Sequence, residues 1–103
     1  MSLKKQVLKS KPVCKVTFRF PKEMASNAST VALVGDFNNW DVNALPMSKL
    51  KTGDFTCILE LGQGQFYEFR YLVDGNEWVN DPEADRYIAN SFGSENSVIE
   101  ASN

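Results

Sequence analysis

A chain of 103 residues has room for one hydrophobic core, and no room for a catalytic barrel beside it. A formal net charge of −2 and an isoelectric point near 5.0 exclude the broad basic surface that nucleic-acid phosphates demand. There is no histidine, the commonest general base and metal ligand, and no apolar stretch of signal-peptide or membrane-spanning length; we expect a soluble, cytoplasmic protein with no cofactor.

Along the chain, residues 1–12 hold Lys4, Lys5, Lys9 and Lys11 with little apolar content, and read as a flexible basic leader ending at Pro12. The alternative is a membrane- or partner-docking arm. A single domain is expected over residues 13–103. From Val13 the period becomes two: Cys14, Val16, Phe18 and Phe20 alternate with Lys15, Thr17 and Arg19, the pattern of a strand with one wet face. Pro21 ends it. The continuous apolar run Thr30-Val31-Ala32-Leu33-Val34 suits a central strand, and Gly35-Asp36-Phe37-Asn38-Asn39 turns the chain out of it toward Trp40. A short strand is expected within Pro46 to Lys51, then a turn at Lys51-Thr52-Gly53-Asp54, then the alternating face Phe55, Cys57, Leu59, Leu61. Cys14 and Cys57 both fall on apolar faces and read as free buried thiols rather than as the bridge of an exported protein.

Beyond the reversal Gly62-Gln63-Gly64, one strand puts Tyr67, Phe69, Tyr71 and Val73 on one side and Glu68 and Arg70 on the other, so that Arg70 points to solvent. Trp78 sits on a short extended piece. Asp81 and Pro82 suit the start of one helical turn over Asp81–Asp85, Ser91 to Asn96 reads as a polar loop, and Ser97-Val98-Ile99-Glu100 is the last strand. About seven short strands with turn signals every eight to twelve residues describe an all-β, immunoglobulin-like (early-set) antiparallel β-sandwich.

Catalytic chemistry is thinly supplied. Carboxylate pairs for a glycosidase exist at Asp36 with Asp41 and at Asp81 with Asp85, but all four lie in turns, where Asp bonds nearby backbone N–H groups. The oxygens from Asp36 to Asp41 suggest calcium only weakly, because their spacing departs from an EF-hand loop. What remains is two tryptophans on turn-rich segments. A single indole in a small sandwich is more often core; two among Asn, Asp and Gly favour a surface platform. A pyranose needs such a platform for its C–H face and hydrogen-bonding groups for its belt of hydroxyls. Trp40 and Trp78 are the candidates for the faces, with Arg70, Asn96 and Ser94 for the hydroxyls.

At these residues the chain resembles a known family. Gly35-Asp36-Phe37-Asn38-Asn39-Trp40, Tyr67 to Gly75, Trp78 followed by Asn80-Asp81-Pro82, and Phe92 to Ser97 are similar to motifs of the glycogen-binding module of the AMP-activated protein kinase β-subunit. They also resemble the early-set domains of isoamylases, pullulanases and glycogen branching enzymes, together the family-48 carbohydrate-binding modules. The resemblance runs from about Val16 to Glu100. It implies that Trp40 and Trp78 stack on sugar, that Arg70 stands where the kinase module has a hydroxyl-binding lysine, that Asn96 and Ser94 stand at hydrogen-bonding positions, and that Phe92 packs against the bound glucan. Two departures are the planar fork of Arg70 in place of a point donor, and an extra residue between Gly75 and Trp78. The expected function is non-catalytic binding of an α-1,4-glucan such as glycogen, starch or maltooligosaccharide. The alternative is a protein-interaction module attached to a glycogen-metabolising enzyme or kinase.

Overall fold

A computed structural model describes residues 3–25, 28–91 and 93–102. Nine strands are found among them: β1 Leu3–Val7, β2 Val13–Phe20, β3 Val31–Gly35, β4 Ser48–Lys49, β5 Phe55–Gly62, β6 Phe66–Val73, β7 Glu77–Val79, β8 Arg86–Ala89 and β9 Glu95–Glu100. They form two sheets. One runs β1-β2-β5-β4; the other runs β3-β6-β9-β8, with β7 also paired to β6. Every pairing is antiparallel, and no helix of the described residues is long and apolar enough to cross a membrane.

The period-two pattern decides which side chains meet between the sheets. In β2, Cys14, Val16, Phe18 and Phe20 are fully buried while Lys15 and Arg19 stay exposed. From the facing sheet β6 sends in Phe69, Tyr71 and Val73. Phe18 meets Phe69 edge-on with ring centres 5.2 Å apart, and Phe20 meets Tyr71 at 5.0 Å, the tilted geometry that aromatic quadrupoles favour. Cys14 and Cys57 are free thiols opposite Leu61 and Phe18 respectively. The one fully buried carboxylate among the described residues, Asp81, accepts a hydrogen bond from the Tyr71 hydroxyl at 2.7 Å. Burial beside that carboxylate holds the Tyr71 phenol well above its ordinary pKa.

Several expectations are corrected. Residues 1–12 do not form a free leader throughout, because β1 pairs with β2 from Leu3↔Phe18 to Val7↔Cys14. Leu3 is buried in the core, and Lys5, on the same inward side at the open end of the sandwich, reaches across to Asp85 at 2.7 Å. The run 31–34 is not central: β3 pairs only with β6, and its outer edge is covered by segment 45–47 through Leu33 N to Leu45 O at 2.9 Å and Met47 N to Val31 O at 2.8 Å. No helix forms over Asp81–Asp85; Asp81 Oδ1 accepts the Glu83 N–H at 2.8 Å in a tight turn that leads into β8, a strand the sequence pattern had not marked. A four-residue helix, α1, stands instead at Lys22–Ala25 after Pro21. It is tied down by Asp54, which accepts from Lys22 N at 2.8 Å and from Arg19 Nη2 at 2.6 Å. The Arg19 guanidinium, with the Lys22 amide, holds the Asp54 carboxyl down to about 2.

Candidate functional site

The site lies on the outer face of the five-stranded sheet, and alternation in β6 builds it. With Phe69, Tyr71 and Val73 turned inward, Glu68, Arg70 and Leu72 turn outward. Arg70 is opposite Val34 of β3, and Leu72 is opposite Trp78 of β7. Along the other edge of β6, β9 pairs as far as Phe69↔Ser97; one further step of that register sets Asn96 beside Arg70. β7 and β9 thus share one edge of β6, and Arg70 stands where the neighbour changes. Val34, Leu72 and Val98 face outward yet are buried, an apolar floor separate from the core.

Over this floor stands the loop after β3. Gly35 begins it at a close approach: a Cβ there would lie 2.4 Å from Glu68 O and 2.8 Å from Phe69 Cβ, so no side chain fits. A 3-10 turn follows over Asp36–Asn38, and then Asn39 and Trp40 take left-handed backbone with φ of 57° and 58°. Such angles cost non-glycine residues about 1 kcal/mol or more each, so the surroundings must over-determine them. They do so through Trp40 N to Gly35 O at 2.9 Å, Gly35 N to Asn38 Oδ1 at 3.1 Å and Asn38 Nδ2 to Leu33 O at 3.0 Å.

The result is a cleft of about 670 Å³ lined by Asp36, Trp40, Glu68, Arg70, Trp78, Asn90, Ser91 and Asn96, within the size range of small-ligand sites. Trp40 is half-buried, and Trp78 is 41% exposed. The Arg70 guanidinium carbon is 5.8 Å from the centre of the Trp78 ring, a cation–π contact that holds the two side chains together. Arg70 Nε is buried and has no hydrogen-bond partner among the described residues. A buried donor left unmade costs free energy until something accepts from it. Asn96 donates to Glu68 Oε1 at 3.1 Å and accepts from Asn90 Nδ2 at 3.1 Å. Its amide orientation is therefore set, with one N–H and one lone pair left over.

The structure brings four of the six expected site residues, Trp40, Arg70, Trp78 and Asn96, onto this one cleft. Ser94 is exposed and outside the lining, in the β8–β9 connection, where its N–H donates to Asn90 Oδ1 at 3.2 Å. Phe92 lies outside the described residues. Asp36, Glu68, Asn90 and Ser91 are lining residues that sequence reasoning did not select. Glu68 had a signal, since the alternation that turns Arg70 outward turns Glu68 outward too. The turn carboxylates are all engaged by protein donors, near and far along the chain: Asp36 with Trp40 Nε1 and Glu68 N, Asp41 with Asn43 N, Asp81 with Tyr71 and Asp85 with Lys5. Among the described residues no three His, Cys, Asp or Glu side chains gather to hold a metal.

Comparison with known proteins gives the family. Residues 15–103 match the family model described as the glycogen recognition site of AMP-activated protein kinase. A 1,4-alpha-glucan branching enzyme of Pseudoalteromonas atlantica is 32% identical over 77 residues, 73% of this chain and 11% of that protein. A second, from Butyrivibrio fibrisolvens, is 35% identical over 63 residues, 61% of this chain and 10% of the enzyme. A third, from Emericella nidulans, is 45% identical over 49 residues, covering 48% of this chain and 7% of the enzyme. The matched region thus spans about a tenth of the length of these relatives.

Proposed function

Because the chain belongs to the family of the glycogen recognition site of AMP-activated protein kinase, and is therefore a carbohydrate-binding module, we propose that it is a non-catalytic receptor for α-1,4-glucan chains of glycogen or maltooligosaccharide. Sugar rings stack on Trp40 and Trp78, Arg70 and Asn96 hydrogen-bond the hydroxyls, and Ser94 contributes from the neighbouring turn. The observation that carries this reading is the cleft itself: two indoles with apolar faces share it with the Arg70 guanidinium and the Asn96 amide. The Arg70 guanidinium meets sugar hydroxyls as a donor, and the Glu68 carboxylate and the Asn96 amide meet them as acceptor and donor. Stacking aromatics contribute on the order of 1 kcal/mol each beyond the area they bury, which puts oligosaccharide affinity at roughly micromolar to millimolar. Repeated sites on a glycogen particle raise the effective affinity by avidity.

The test is a titration of β-cyclodextrin or maltoheptaose against tryptophan fluorescence, repeated with Trp40→Ala and Trp78→Ala. Saturable quenching or enhancement in the wild type, weakened about tenfold or more in each variant, is the expected result. A wild type silent at roughly millimolar sugar rejects the proposal and returns the protein-interaction alternative.

A further inference from the structure

Asp36 reads from the sequence as an ordinary turn carboxylate, yet both of its carboxylate oxygens are committed inside the cleft. Oδ1 accepts from the indole Nε1–H of Trp40 at 2.9 Å. Oδ2 accepts from the backbone N–H of Glu68 at 2.8 Å. Glu68 lies one step past the last β3–β6 pair, Gly35↔Phe69, where β3 has left the sheet for the 3-10 turn. The side chain of Asp36 therefore takes up a strand amide that β3 no longer pairs, and passes that anchorage to the indole. The two donors it joins are the platform on the loop and the strand that carries Arg70, two residues farther on.

The loop by itself does not fix the ring. The backbone bonds around Gly35, Asn38 and Trp40 hold the main chain of Trp40, but χ1 and χ2 of the indole are set by what its ring meets. Among the hydrogen bonds of the described residues, the bond to Asp36 is the one that its ring makes. A carboxylate acceptor is stronger and more directional than a neutral one, and here it is itself held by a rigid strand. Freezing the ring before the ligand arrives removes an ordering cost from binding.

We propose that Asp36 is the positioning residue of the site: it references the Trp40 indole to β6, so that the platform and the Arg70 donor keep the spacing a single sugar chain requires. This inference rests on the α-glucan reading above. Asp36 itself is not assigned a contact with sugar.

The test is a double-mutant cycle on the full chain with Asp36→Ala, Trp40→Phe and the combined variant, with Asp36→Asn as the conservative replacement. β-Cyclodextrin affinity is measured by calorimetry, and the Trp40 indole N–H resonance is recorded without ligand. Asp36→Ala is expected to weaken binding about tenfold and to move the indole N–H resonance upfield in the free protein. Asp36→Asn, which keeps one acceptor oxygen, is expected to fall between. Because Trp40→Phe retains a ring but has no N–H to hold, adding Asp36→Ala to it is expected to weaken binding by no more than about twofold further. Full additivity, or an Asp36→Ala protein that binds as wild type with an unmoved indole resonance, overturns the inference while leaving the α-glucan reading in place. A wild type that does not bind cyclodextrin overturns both. If Asp36→Ala fails to fold, Asp36→Asn carries the test: wild-type affinity with an unchanged indole resonance rejects the proposal, and a weakened, shifted variant supports it.

Discussion

Arg70 shows how a single side chain divides stability from binding. Its side chain lies on the outer face of β6, while its Nε is buried with no acceptor among the described residues and its guanidinium rests 5.8 Å from the Trp78 ring centre. Methionine preserves much of the stem and removes the unsatisfied donor. Arg70→Met is therefore expected to leave the unfolding free energy unchanged or raised, within about 1 kcal/mol, while cyclodextrin affinity falls about tenfold. Urea unfolding and calorimetry check the two halves; a stability loss beyond about 2 kcal/mol with binding intact contradicts them. The residues that were legible in the sequence are those whose environment a local pattern dictates. Trp40 and Trp78 stand among turn formers, and Arg70 alternates with core aromatics. Asn90 and Ser91 were not legible, because their place depends on β8, which no period-two pattern marks. Asp36 read as an ordinary turn carboxylate because its partner Glu68 is far along the chain, and only the fold joins them.

At the scale of elements, β1 is the clearest departure from the sequence reading. Its lysines suggested a solvated leader, but Leu3 and Val7 fall on the inward side with Lys5 between them, and Lys5 reaches Asp85 in the turn before β8. An inward lysine at an open edge disguises the strand period. Removing residues 1–7 strips the edge of β2 and uncovers the place Leu3 fills. We expect a loss of at least about 2 kcal/mol in urea unfolding, from the burial of Leu3 alone. A loss under about 0.5 kcal/mol would return these residues to a dispensable leader. β3 was displaced for a related reason: its unbroken apolar run reflects burial on both faces, and the outward burial comes from the functional face rather than from a central position in the sheet.

For the whole molecule, the antiparallel sandwich was legible because β2, β5 and β6 alternate cleanly, and their inward aromatics, Phe18, Phe20, Phe69 and Tyr71, form the contact between sheets. Strand order was not legible. Nothing local says that β7 and β9 share one edge of β6, and that arrangement brings Trp78 and Asn96 to the same edge beside Arg70. The core lies between the sheets and the cleft lies outside them, so folding and ligand recognition draw on different faces of the same strand. The most direct test of this division is a β-cyclodextrin titration of isotopically labelled wild-type protein, followed through backbone and indole N–H resonances. The expected outcome is that Trp40, Glu68, Arg70, Trp78 and Asn96 shift together with both indole N–H signals, while Thr17 and Ile58, paired on the outer face of the other sheet, stay still. Shifts centred on Thr17 and Ile58, or none at roughly millimolar sugar, would contradict it.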